Sequence, residues 1–157
     1  MAEQRKGTPE VWAAGIGRRS NAQYGSDLMA EVLRELGIKY IALNPGASYR
    51  GFHDSLVNFE SEKGPQMIMC THEEIAVAIA NGYARATGEI MATGLHDIVG
   101  LQHASMAIFN AWCDRTPILN LGGGGPQDTT NRRSTDWVHT ANVQGLAVRE
   151  YVKFDDQ

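Results

Sequence analysis

One stretch constrains this chain more than any other: Thr71 to Gly88, THEEIAVAIANGYARATG, where two adjacent carboxylates stand at the mouth of a helix with almost no polar interior. Glu73 and Glu74 are followed by Ile75, Ala76, Val77, Ala78, Ile79 and Ala80, a run apolar nearly all round that predicts a helix buried on most sides. Neighbouring helical residues point about 100° apart, so the two glutamates cannot share one environment and one of them faces protein. A carboxyl group in apolar surroundings has its charged form disfavoured, which predicts a raised pKa suited to proton chemistry near neutrality. The plainer reading is that both acids serve the helix N-terminus, where the macrodipole favours negative charge.

The remaining punctuation implies strands alternating with helices. Residues 1–24 show no sustained period and read as an extended arm anchored by Trp12; a single domain follows over 25–157. Ser26 is the predicted N-cap of a helix whose inward face is Leu28, Met29, Val32, Leu33 and Leu36, with Gly37 as its stop. A strand over 39–43 runs into Asn44-Pro45-Gly46. Phe52, Leu56, Val57 and Phe59 then mark a short helix, and Gly64-Pro65 breaks the chain before a strand over 66–70. Gly88 closes the central helix, a strand over 90–93 leads into Gly94-Leu95-His96-Asp97, and Leu101, Ala104, Ile108 and Trp112 recur at near-helical spacing. Pro117 admits a fourth strand over 118–121; a helix over 142–149 and a strand over 151–154 are expected to complete the layer. The fold class is α/β: a doubly wound, mostly parallel sheet with helices on both faces, which binds ligands beyond the carboxyl ends of its strands.

With 157 residues, 43% of them apolar, the chain can bury the core such a sheet needs. Its net charge of -4 argues against a general nucleic-acid binder, and the pair Arg132-Arg133 is too short to change that. Cys70 and Cys113 form neither a disulfide framework nor a close metal-binding pair, and no signal-like segment follows Met1, so a reduced, cytoplasmic setting is expected. No run of 18 apolar residues predicts a membrane span. Gly122 to Gly125 resemble a phosphate loop only superficially, because the Lys followed by Ser or Thr is missing and Pro126 removes a donor. They read instead as a loop leaving the last strand. His96, Asp97 and His103 match no established ligand spacing, so no metal site is expected on this chain. His72 and His139 read as structural and His53 as solvated, and no Gly-x-Ser-x-Gly elbow occurs.

Four ordered signals remain. Asn44-Pro45-Gly46 ends the first strand, and His72-Glu73 precedes Gly82-Tyr83-Ala84-Arg85-Ala86-Thr87-Gly88. Leu95-His96 follows the third strand, and Asn110-Ala111-Trp112 precedes Thr116-Pro117-Ile118. In this order they resemble the N-terminal, pyrimidine-binding domain of thiamine-diphosphate-dependent enzymes, the superfamily of acetolactate synthase and benzoylformate decarboxylase. The resemblance implies that Glu73 activates the cofactor's aminopyrimidine ring and that His96 transfers protons to or from the intermediates. It also implies cofactor contacts from Pro45, Gly46, Ala47, Glu73, Gly100 and His103. The implied activity is that of a 2-oxo acid decarboxylase or carboligase; alternatives are an acetolactate-synthase-like carboligase and a non-catalytic assembly or regulatory domain of the same fold.

The chain departs from the pattern at three places. Ala47 stands where the decarboxylase has a serine, with Ser48 one position later and Arg50 close by; His103 replaces an asparagine; and the Gly-Pro-Gly turn of the synthase is missing. Relatives hold the diphosphate and Mg2+ through a second domain bearing Gly-Asp-Gly, which does not occur here. The resemblance therefore implies a diphosphate-binding domain or subunit as partner, in a homo- or hetero-oligomer, with this chain either one subunit of a split enzyme or a piece of a longer polypeptide.

Overall fold

Gly37 and Gly88 hold φ of 74° and 75°, a region that costs glycine nothing, and each ends its helix where the sequence places the stop. The computed structural model describes residues 20–125, 130 and 139–156. The chain runs α1 (Gly25–Glu35), β1 (Tyr40–Leu43), a 3₁₀ turn (Ala47–Tyr49), α2 (Arg50–Asp54) continuing as a π turn (Ser55–Phe59), and β2 (Gln66–Met69). It goes on through α3 (Glu73–Thr87), β3 (Met91–Leu95), α4 (Asp97–Asp114), β4 (Ile118–Gly122) and two short 3₁₀ turns, Gln144–Ala147 and Arg149–Tyr151. The predicted arm lies almost wholly outside the described residues, as do Trp12, Pro126 and Arg132-Arg133.

The four strands form one parallel sheet in the order β2-β1-β3-β4. Register aligns their carboxyl ends, because Leu43 lies opposite both Met69 and Gly94, and Leu95 lies opposite Gly122. Alternation along β1 sends Ile41 and Leu43 into a core with Ala30, Leu33, Phe52 and Leu56, while Ala42 meets Ala76, Ala80 and Met91 on the other face. A third cluster of Val77, Leu95, Ala104, Ala107 and Ile108 joins α3 to α4. Helices thus cover both faces, as the alternating pattern predicts, and no described helix is long and apolar enough to cross a membrane.

Several local expectations are corrected. Helix α1 turns Asp27, Ala30 and Leu33 inward, leaving Leu28, Met29, Val32 and Leu36 exposed. The reason is polar: Asp27 Oδ1 accepts from Ser55 Oγ at 2.7 Å, and its Oδ2 accepts the backbone N–H groups of Gln23 and Tyr24 at 3.0 and 3.1 Å. That buried carboxylate caps the helix from its third position, so Ser26 is not the N-cap. Helix α3 is buried along one stripe only, for Ile75 and Ile79 remain 44% and 37% exposed. Helix α4 begins at Asp97 rather than near Gly100. The predicted closing helix and strand are instead two 3₁₀ turns followed by irregular chain. Side chains pin this segment: Tyr151 bonds Ser105 and the Ala147 carbonyl, and Arg149 pairs with Asp155 at 2.5 Å.

Candidate active site

All four aligned strand ends contribute to one region. At the end of β2 the chain enters α3 through His72, whose backbone is extended and whose Nδ1 accepts the Glu74 N–H at 3.2 Å. This leaves Glu73 first in the helix and 4% exposed, while Glu74 points to solvent, so the two glutamates do occupy different environments. Burial by itself would raise the Glu73 pKa. Hydrogen bonds from Asn44, from its own backbone N–H and from His103 outweigh burial and hold the carboxyl below the usual glutamate value. The predicted upward shift is therefore corrected: Glu73 is a buried, ionised acceptor rather than a neutral acid.

His103 Nδ1 lies 3.5 Å from Glu73 Oε2. A Cβ on Gly100 would stand 3.0 Å from Glu73 Oε1, so only glycine at that position leaves this oxygen uncrowded. His72, Glu73 and His103 offer ligand atoms within 4.8 Å of one another. The two imidazoles nevertheless stack, with centroids 4.7 Å apart and planes 12° from parallel, so their in-plane lone pairs run side by side instead of converging on an ion.

A second group forms around His96 at the end of β3. Its Nδ1 is 2.9 Å from Ser48 Oγ, and its ring packs against His139 with centroids 5.0 Å apart. Gly46 presses on the same edge of the ring, for a Cβ there would come within 2.6–2.7 Å of His96 Cβ, Cγ and Nδ1. Behind it Asp97 is 5% exposed, with φ of 47° and an Oδ1 that has no hydrogen-bond partner among the described residues. Gly123, donating its N–H to the Leu95 carbonyl at 3.0 Å, faces Ser48 and Asp97, and its own carbonyl accepts from Gln144 Nε2 at 2.6 Å. Tyr49 spans the two groups. Burial, reinforced by the charges of Glu73 and Asp97, pushes its phenol up to about 12, and it donates to the Asn44 carbonyl.

The strand ends thus bring Gly46, Glu73, His96, Gly100 and His103 into two adjoining groups, whereas Pro45 and Ala47 are exposed on the connecting turn. Sequence reasoning misses Asn44 as a partner of Glu73 and misses Gln144; it places Asp97 and Gly123 at strand ends without bringing them to Ser48 and His96. His139, expected to be merely structural, packs on the His96 ring. The glycines that leave the last strand are placed correctly, but their consequence is not: a backbone without side chains there lets neighbours close in. Chemically, the region offers an ionised acceptor at Glu73 and an imidazole, His96, held at Nδ1 by Ser48.

The chain is 33% identical to the acetolactate synthase large subunit of Lactococcus lactis subsp. lactis over 63% of its length, and 28% identical to that of Haemophilus influenzae over 78%. It spans only 17% and 20% of those relatives. Among solved structures, the thiamine diphosphate-dependent 4-hydroxybenzoylformate decarboxylase of Rhodococcus jostii superposes with a TM-score of 0.68 at 25% identity, covering 82% of this chain and 23% of that one. Residues 23–145, which carry every strand and both residue groups described above, match the N-terminal TPP binding domain of thiamine pyrophosphate enzymes, and the chain belongs to that family.

Proposed function

We propose that this chain is the pyrimidine-binding part of a thiamine-diphosphate-dependent 2-oxo acid decarboxylase or carboligase. The observation that carries the reading is Glu73: a carboxylate 4% exposed, ionised, and left open on its Oε1 side by Gly100. An aminopyrimidine ring donates to such an acceptor once a ring nitrogen carries a proton, as it does in the imino tautomer, so the residues present fit the ring end of the cofactor. When bound, thiamine diphosphate supplies the carbon nucleophile and the electron sink for 2-oxo acid chemistry. Glu73 would hold the ring by accepting a hydrogen bond from its protonated nitrogen and so favour the imino tautomer; Asn44 and His103 keep the carboxylate ionised and oriented; His96 would move a proton at the reacting carbon. In this reading the backbone of Pro45, Gly46 and Ala47, beyond the end of β1, adds contacts to the cofactor.

The diphosphate and its Mg2+ belong, in this reading, to another domain or subunit. The short span relative to the synthases supports that, as do the apolar side chains that α3 and α4 leave in water, Ile75 and Ile79 on one and Met106 and Phe109 on the other. The cytoplasm and an oligomer follow as expectations. A synthase-type carboligase is the second reading, favoured by the names of the curated relatives.

The deciding experiment supplies a Gly-Asp-Gly-bearing domain or partner, Mg2+ and thiamine diphosphate, then follows proton–deuterium exchange at the cofactor's C2 and consumption of a panel of 2-oxo acids. Exchange dependent on Glu73, followed by decarboxylation, supports the reading. Tight cofactor binding with no exchange would favour a non-catalytic assembly role.

A further inference from the structure

We propose that Ser48 and Asp97 form a relay behind His96 that fixes which of its two ring nitrogens carries the proton. Asp97 provides the starting point. A carboxylate oxygen that is buried and unpartnered is costly, and a non-glycine residue at φ of 47° adds backbone strain. The macrodipole at the start of α4 welcomes an acid, but α3 shows that a helix start can be satisfied by a solvated one such as Glu74. Burying Asp97 in this conformation therefore needs a second reason.

Gly123 indicates where that reason lies. A side chain there would overlap Ser48 Oγ and come 2.6 Å from Ser48 Cβ and 2.9 Å from Asp97 Oδ1. The serine hydroxyl and the unpartnered carboxylate oxygen thus border one small space that glycine keeps clear. Ser48 Oγ also lies 2.9 Å from His96 Nδ1. A hydroxyl has one proton and two lone pairs, so two arrangements compete. If Ser48 donates to Nδ1, Asp97 stays without a donor. If Nδ1–H donates to Ser48 Oγ, the hydroxyl proton is left to face the space that Asp97 Oδ1 borders, and a small shift of either side chain into that space would bring the two into hydrogen-bond reach and give the carboxylate its donor. The second arrangement leaves Nε2 bare on the ring edge away from Gly46. Neutral His96 then meets the ligand as a proton acceptor.

Among the described residues, the other titratable groups on this side are His139, tilted 58° against the ring, and Tyr49 and Glu73 beyond. None of them is the partner of Nδ1. The relay rests on the proposed function only for what the bare nitrogen does; the tautomer itself exists whether or not His96 acts on a substrate.

The test is a two-bond proton–nitrogen correlation on the chain with ¹⁵N-labelled histidines, at a pH where the rings are neutral, with His96 assigned by loss of its signals in His96→Gln. The wild type is expected to show protonated Nδ1 and bare Nε2. Ser48→Ala should swap the two nitrogen shifts toward the Nε2–H form that an unconstrained side chain prefers, and Ser48→Thr, which keeps the hydroxyl, should not. Asp97→Gly is the sharpest variant, because glycine adopts φ of 47° without strain and only the carboxylate is lost. It should give the same swap as Ser48→Ala. An Nε2–H ring in the wild type overturns the relay without recourse to any variant, and a Nδ1–H ring that persists in folded Asp97→Gly removes Asp97 from it. A pinned tautomer combined with full activity in His96→Ala would instead sink the catalytic reading and leave the relay standing.

Discussion

Helices α3 and α4 start alike and end up unlike. Each follows a strand, and each opens on a histidine and a buried acid: His72-Glu73 at one, His96-Asp97 at the other. In α3 the pattern is relaxed. His72 caps the helix through Nδ1, and the Glu73 carboxylate has Asn44, its own N–H and His103 around it. In α4 the histidine makes no side-chain cap and turns to Ser48, while its acid sits in the left-handed region with one oxygen unpartnered. The same two residue types thus serve local helix stability in one place and forgo it in the other. Local preference is met at the α3 start and overridden at the α4 start, so the His96 side carries the strain that the proposed relay is meant to explain.

The largest effect should separate the two acids' roles from each other. Glu73→Gln keeps volume and removes the ionisable oxygen, so turnover of the assembled enzyme should fall by roughly 10,000-fold, at the upper end of what general acid–base groups contribute, with the fold intact. Proton–deuterium exchange at the cofactor's C2 checks it, with Glu74→Gln as a control that should change little. Normal exchange in Glu73→Gln would remove that residue from its proposed role. His96→Ala should slow the steps after substrate attack by about 100- to 10,000-fold while leaving that exchange nearly normal. Single-turnover kinetics with several 2-oxo acids reads the difference, and unchanged turnover on all of them would reduce His96 to a packing residue.

The contrast between the helix starts was only half visible in the sequence. The alternation of strands and helices, the stops at Gly37 and Gly88, and the burial of one glutamate but not its neighbour follow from periodicity and turn chemistry. The Glu73 ionisation state did not follow, because it depends on Asn44, which lies 29 positions earlier and arrives only when β1 pairs beside β2. Nor did the Asp97 conformation, since the residues that border its carboxylate, Ser48 and Gly123, come from two other strand ends and leave no local signature. Helix α1 failed for a related reason: the partner of Asp27 is Ser55, and one long-range hydrogen bond outweighed an apolar stripe in deciding which face turns in.

Two glycines sharpen the comparison at smaller cost. An alanine at Gly123 has no room beside Ser48 and Asp97, so Gly123→Ala should destabilise by about 1–3 kcal/mol and release the His96 ring. Gly100→Ala meets Glu73 Oε1 at 3.0 Å and the Leu95 carbonyl carbon at 3.2 Å, which neighbours can relieve by a few tenths of an ångström. Its stability loss should be the lesser of the two, about 1 kcal/mol, but cofactor affinity should fall because the displaced oxygen is the one left open for the ring. Urea unfolding ranks the pair; the reverse ranking would mean that the strained helix start yields more easily than the relaxed one.

The smallest effect is the pH dependence that Glu73 gives to folding. Its folded pKa lies below the ordinary glutamate value of 4.5, so the unfolded chain binds the proton more readily than the folded one. The stabilisation is then fully present above that value and is lost as the pH falls through the folded pKa. Glu73→Gln has no such group. Wild type should therefore lose more stability than the variant between neutral pH and about pH 3, the two curves converging toward acid. Urea midpoints for both proteins across that range decide it. Parallel curves would mean that Asn44 and His103 do not favour the ionised carboxylate, and the α3 start would then be no more relaxed than the α4 start with which it is contrasted.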